Sequence, residues 1–175
     1  MIEQIWTIGH STNSIDKFVA ALQLNQIKAV ADVRLLPGSR RYPQFNREAL
    51  VDSLGKTGIL YEHFPELGGR RKPKPDSHNT AWRNEAFRGY ADHMETLEFK
   101  NGIVRLLQLA QTVGPTAIMC AEAVWWRCHR ALVSDYLKAR SVEITHIIDA
   151  QKMQSHPYTS AARIVNGELT YALLL

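Results

Sequence analysis

The sequence predicts an α/β protein: a mainly parallel central sheet flanked by helices, with a C-terminal hairpin. Three observations carry this. Apolar runs of strand length alternate with segments whose apolar residues recur at helical spacing. The first of them, QIWTIG at residues 4–9, a helical stripe and then KAVADVR at 28–34, make a strand–helix–strand unit, and parallel strands need such a crossover. Farther on, Asn166-Gly167 stands between the apolar runs of RIVNGELTY, the strongest short hairpin signal.

Each element follows from local chemistry. Ser14 reads as an N-cap for a helix whose stripe is Ile15, Phe18, Val19 and Leu22. Leu36-Pro37-Gly38 marks a turn, and Asn46 caps a helix carrying Ala49, Leu50 and Leu54 that stops near Gly55. ILYEHF at 59–64 reads as a strand. Residues 66–84, rich in Gly, Pro and basic groups, read as a long basic loop; so long a loop in a compact domain is functional or disordered. Phe87, Tyr90, Ala91 and Met94 define one helix face, and Ile103, Leu106, Leu107 and Ala110 another, ended by Gly114-Pro115. TAIMC at 116–120 is a strand; Leu132, Val133, Tyr136 and Leu137 stripe a helix beginning near Arg127; VEITHII at 142–148 is the next strand.

Bulk composition narrows the classes. The chain of 175 residues is expected to form a single domain over 1–175, large enough to hide roughly 70% of its unfolded surface without a disulfide or metal. No apolar run approaches the ~20 residues that span a bilayer, and MIEQIWTIGH lacks a basic leader and cleavage site. With only two cysteines, a cytoplasmic location and no membrane partner are expected. The formal charge of +4 favours anionic partners. Arg34, Arg40, Arg41, Arg47, Arg70, Arg71, Lys72 and Lys74 concentrate that charge, as a binding surface or a solvated loop face.

In parallel sheets ligands bind beyond the carboxyl ends of the strands. His10 and Ser11, Asp32 and Arg34, and Cys120 and Glu122 fall there, and Cys128, His129 and Arg130 open the helix that follows. A helix start attracts anions and lowers the pKa of a nearby thiol, which favours a functional thiolate; the plainer reading is that both cysteines pack as small hydrophobes. His129 shares a face with Leu132, Val133 and Tyr136, as a buried support or a proton shuttle. Arg130 falls off that stripe and opposes the helix dipole, so pairing with Asp32 or Glu122, or an anion, is expected to hold it. Asp32 and Glu122 could divide acid and base roles, or Asp32 and Arg34 could form an internal ion pair. His10 is a donor into the crevice or a cap, and Gly68-Gly69-Arg70-Arg71 offers amides and guanidiniums to phosphate. Trp125 and Trp126 are a stacking platform or core. No pair of Cys or His has zinc spacing, and no P-loop, GxGxxG or GxSxG occurs, so no metal or cofactor is expected.

The chain resembles the bacterial domain-of-unknown-function family 488. The matching pieces are TIGHS at 7–11, DVR at 32–34, PGSRRYPQF at 37–45, LGGRR at 67–71, FRGYADHM at 87–94, MCAE at 119–122, CHR at 128–130 and HPYTSAARI at 156–164. Their order and spacing carry the resemblance nearly end to end. It implies a compact cytoplasmic α/β domain and no particular reaction.

Three functional readings follow. The first is an enzyme binding a phosphorylated or nucleotide-like ligand at the strand ends, with Arg34 and Arg130 on the anion, Asp32 or Glu122 as base, and Cys128 or His129 as nucleophile or acid. The second is a nucleic-acid-binding module that reads modified or damaged bases. The third is a thiol redox or sulfur-transfer protein using Cys120 and Cys128. Oligomeric state and substrate stay open.

Overall fold

The computed structural model describes residues 1–173. Its centre is a six-stranded sheet in the order β3-β2-β4-β1-β5-β6, formed by β1 (Gln4–Gly9), β2 (Ala29–Asp32), β3 (Leu60–His63), β4 (Thr116–Cys120), β5 (Glu143–Ile147) and β6 (Met153–Ser155). The pairings β1–β4, β1–β5, β2–β3 and β2–β4 are parallel; β5–β6 is antiparallel. Strand β6 has no counterpart among the sequence expectations. It is three residues long and wholly exposed, so it carries no alternation to read.

The side-chain period of two sorts the central strands between two cores. Ala29, Ala31, Ile118 and Ile144 face α3 (Glu85–His93), α4 (Leu97–Val113) and α5 (Arg130–Lys138). Val30, Ala117, Met119 and Ile147 face α1 (Ile15–Leu24) and α2 (Arg47–Gly55). Both faces are covered, which is why TAIMC reads as an uninterrupted apolar run.

Local chemistry sets the helix ends. Ser14 caps α1 through Lys17 N–H, Asn84 caps α3 and Thr96 caps α4. Asn46 precedes α2, but its Oδ1 accepts from Ser39 N–H at 2.6 Å and so pins the 36–42 loop instead. Helix α5 starts at Arg130, later than the stripe suggested, because Trp125–Arg127 form a 3-10 turn of their own. Residues 66–84 make few regular elements beyond the 3-10 turn Pro65–Leu67. They are organised by Asp92 of α3, whose carboxylate accepts from Lys74 N–H, Ser77 Oγ–H and Asn79 Nδ2–H. The hairpin forms as expected: β7 (Arg163–Val165) pairs with β8 (Glu168–Thr170), and Asn166 and Gly167 take φ of 53° and 81°. Among the described residues no helix is long and apolar enough to cross a membrane.

Candidate functional site

A cavity of about 570 Å³ opens at the carboxyl ends of β1, β2 and β4. Strand β4 lies between β2 and β1, so chain segments far apart in sequence meet there. His10, Ser11, Arg34, Arg70, Cys120, Glu122, Cys128 and His129 line it. Eight of the eleven expected site residues therefore share one pocket. Asp32, Arg71 and Arg130 do not line it.

The floor is a pair of thiols. Cys120 ends β4 and Cys128 precedes α5, and their sulfurs lie 2.7 Å apart. Both cysteines are buried and free. Cys128 Sγ also accepts from Arg130 N–H, the first amide of α5, at 3.4 Å. On its other side His129 Nδ1 lies at 3.6 Å. His129 Nε2 lies 2.9 Å from the Val33 carbonyl. A carbonyl only accepts, so Nε2 carries a proton, and Nδ1 is the ring nitrogen that faces Cys128. Burial pushes the Cys128 thiol up, but the hydrogen bond from Cys120 and the charges of His129 and Arg130 outweigh it and hold Cys128 well below the usual thiol range. Burial and the neighbouring Cys128 push Cys120 well above that range. One proton stays on Cys120 while Cys128 carries the charge.

Arg130 corrects an expectation. It pairs neither with Asp32 nor with the Glu122 carboxylate. Its side chain is 1% exposed. Nη1 donates to Thr7 Oγ1 at 3.2 Å and Nη2 to the Glu122 carbonyl at 2.6 Å. The two sulfurs also face its guanidinium. Among the described residues no carboxylate forms an ion pair with it. Its helix position put it off the apolar stripe, and that local position says nothing of what β1 and the 121–124 loop bring against it. Gly9 is needed for this approach: a Cβ there would lie 1.7 Å from the Glu122 carbonyl oxygen and 2.9 Å from Arg130 Nη2.

Asp32 and Arg34 form the internal ion pair. Arg34 Nε and Nη2 donate to the two carboxylate oxygens at 2.9 and 2.7 Å, and Tyr61 O–H adds a third bond. Asp32 is fully buried on the α1–α2 face, so it is not available as the base partner of Glu122. Arg34 Nη1 is directed at His10 Nε2, 3.4 Å away, and His10 Nδ1 at the Ser11 carbonyl, 2.9 Å away. Burial holds the His10 ring below its usual pKa, and it stacks on Phe45 at 4.3 Å. Glu122 is exposed at the rim, two residues beyond Cys120, the last residue of β4. Arg70 (φ 60°) turns to the pocket, whereas Arg71 turns away to the Gly68 and Pro65 carbonyls and Glu98. Trp125 is core, stacked on His146 at 4.5 Å; Trp126 is exposed.

Sequence reasoning missed Tyr42, Phe87, Tyr90, Leu35 and Arg127, which also line the cavity. Arg127 entered the sequence reading only as the start of a helix. Phe87 and Tyr90 read as a helical stripe and so as core, and nothing local distinguishes a stripe that closes a cavity. Thr7, the acceptor for Arg130, looks like any β-branched residue in a strand. Among the described residues no three His, Cys, Asp or Glu side chains converge as a metal site would need.

The fold and pocket define an α/β protein with a buried dithiol at the carboxyl rim of a parallel sheet. The family model described as domain of unknown function DUF488 matches residues 14–137, and the chain belongs to that family. No curated protein and no solved structure matches the chain. The matched span holds both cysteines and nearly all of α5; it omits β1 with Thr7, Gly9 and His10, and everything from Lys138 onward.

Proposed function

We propose that the protein is a dithiol enzyme that exchanges thiol for disulfide on a small anionic substrate. The observation carrying this reading is that two sulfurs 2.7 Å apart on the floor of a cavity act electrostatically on a buried arginine that has no carboxylate partner among the described residues. A buried cation needs an anion, and the Cys128 thiolate supplies one.

The chemistry balances with these groups. His129 Nδ1 takes the Cys128 proton, and the thiolate attacks one sulfur of a substrate disulfide. A mixed disulfide forms on Cys128 and one substrate thiolate leaves. Cys120, at contact distance, gives up its proton to that leaving thiolate and attacks Cys128 Sγ; the second substrate thiolate leaves. Two electrons pass from the dithiol to the substrate, and an external dithiol resets the pair. Arg70 and Arg127 at the mouth, with Phe87 and Tyr42 on the walls, suit a nucleotide-sized ligand with an apolar part and a negative charge. This keeps the phosphorylated or nucleotide-like ligand of the first sequence reading and joins it to the thiol chemistry of the third.

Reaction with the bis-nitrobenzoate disulfide tests it. The expected course is release of two aromatic thiolates per chain with an internal Cys120–Cys128 disulfide, and in Cys120→Ser one thiolate with the mixed disulfide trapped on Cys128. Labelling of neither cysteine faster than free cysteine at about pH 6 overturns it.

A second reading is binding of single-stranded nucleic acid. One observation favours it: exposed Arg40 and Arg41 immediately precede Tyr42, which lines the pocket, and the Arg41 guanidinium lies 5.6 Å from the Tyr42 ring. Such binding weakens steeply with salt. An oligonucleotide shift assay whose affinity is flat in salt removes it.

A further inference from the structure

Behind the thiols, on the α5 face of the sheet, a file of buried polar groups links Arg130 to Asp135, five residues along the same helix. Arg130 Nη1 meets Thr7 Oγ1 at 3.2 Å, and Thr7 Oγ1 meets His146 Nδ1 at 2.6 Å. His146 Nε2 meets His156 Nδ1 at 2.8 Å, and His156 Nε2 meets Asp135 Oδ1 at 2.8 Å. Asp135 is completed by Thr159 N–H and O–H and by Tyr171 O–H at 2.7 Å. Thr7, Asp135, His146 and His156 are each no more than 2% exposed.

Satisfying the donors and acceptors of Thr7, His146 and His156 fixes the direction of the file. A guanidinium only donates, so Thr7 accepts from Arg130 and gives its one proton to His146 Nδ1. His146 then holds its proton on Nε2 and gives it to His156 Nδ1, and His156 Nε2–H donates to the carboxylate. The reverse order leaves the Thr7 hydroxyl proton unpaired and puts a second cation, a doubly protonated His156, into the same interior. Burial, then His156 and Arg130, push the His146 ring down to about 2, which agrees with a neutral imidazole. Trp125 stacked on His146 locks the ring plane.

We propose that Thr7, His146, His156 and Asp135 form a positioning relay that aims Arg130 at the Cys128 sulfur and so sets the reactivity of the thiol pair. The relay rests on the dithiol reading. It also ties that site to β1, β5 and the segment after β6, all outside the span that the family model matches. The charged and titratable groups facing Cys128 are Cys120 from β4, His129 and Arg130 at the start of α5, and Tyr90 from α3. Among them Arg130 alone is held by the file.

The test uses the full chain, iodoacetamide and imidazole ¹⁵N spectra. Both His146 and His156 carry the proton on Nε2 near neutral pH. Thr7→Val, which keeps the shape and removes the hydroxyl, raises the pH midpoint of Cys128 alkylation by about one unit, so that labelling near pH 6 slows about tenfold. Thr7→Ser restores the wild-type profile. His156→Gln, a more distant break, slows labelling about threefold, and decides the matter if Thr7→Val does not fold. A proton on His146 Nδ1, or unchanged labelling in the folded variants while wild-type Cys128 stays fast, overturns the relay alone. A wild-type Cys128 no faster than free cysteine overturns the dithiol reading and the relay with it.

Discussion

Cys120 ends a strand, Cys128 opens the approach to a helix, and their sulfurs lie 2.7 Å apart with one proton between them. Closure to a disulfide, with S–S near ~2.05 Å, requires only a small further approach. The pair is unequal. Cys128 is held below the usual thiol range and Cys120 above it, which in the proposed exchange makes the first the attacking sulfur and the second the resolving one.

That inequality predicts a clear asymmetry in single variants. Cys128→Ser abolishes fast alkylation near neutral pH, leaving Cys120 at least about tenfold slower than Cys128 in the parent. Cys120→Ser keeps a reactive Cys128 but cannot close the internal disulfide. Peptide mapping after timed iodoacetamide labelling reads both outcomes, and equal rates for the two sulfurs contradict the assignment.

Charge at the mouth predicts substrate discrimination. Arg127→Ala and Arg70→Ala each slow reaction with the anionic bis-nitrobenzoate disulfide about threefold to tenfold, and leave a neutral disulfide of similar size unaffected. The ratio of the two rates is the measurement. Equal slowing of both disulfides assigns these arginines a structural part only.

Asp32 and Glu122, paired in the sequence reading, are predicted to behave as opposites. Asp32→Asn leaves the Arg34 guanidinium buried without its counter-charge and costs roughly 3–5 kcal/mol of stability. Glu122→Gln, exposed at the rim, changes stability by about 0.5 kcal/mol or less. Urea unfolding compares them, and a mild Asp32→Asn contradicts the ion-pair assignment.

Gly9→Ala tests the close approach of the 121–124 loop. The added methyl meets a backbone carbonyl, which has no rotamer to escape into, so the loop must shift. A loss of roughly 1–3 kcal/mol is expected, together with slower Cys128 alkylation because the Glu122 carbonyl also holds Arg130. Unchanged melting and labelling would show that the loop is free to move.

The buried histidines predict an acid-side loss of stability. His146 unfolded binds a proton below about 6.5, but folded only near about 2. The unfolded chain therefore holds more protons throughout that window, and stability falls as pH drops below 6.5. From there to about pH 5 the loss from this one ring is about 2 kcal/mol; His10 and His93, both pushed down chiefly by burial, act in the same sense. Urea midpoints at the two pH values measure it, and a flat profile is inconsistent with a neutral buried His146.

Much of this site is legible in the chain. The strands β1, β2 and β4 follow from their apolar runs, although the second was read to Arg34 and ends at Asp32, and the sheet rule then gathers their ends. Arg130 was misjudged because a helix position speaks only of its own helix, while the atoms that bury it come from Thr7 and the Glu122 carbonyl. The order within residues 66–84 was invisible because the carboxylate that organises them, Asp92, sits on a later helix. His146 carries no local mark and His156 only its place at the head of HPYTSAARI; strand pairing across β5 and β6 sets their rings side by side.

Strand β1 occupies the middle of the sheet, yet both of its neighbours, β4 and β5, come from beyond residue 115. During synthesis the segment therefore has no backbone partner until most of the chain has emerged, and its unpaired amides and carbonyls are open to wrong partners meanwhile. Closing the sheet requires a contact between residues more than a hundred positions apart, a slow step for a chain of this size. The pocket rim is consequently among the last parts of the molecule to take shape.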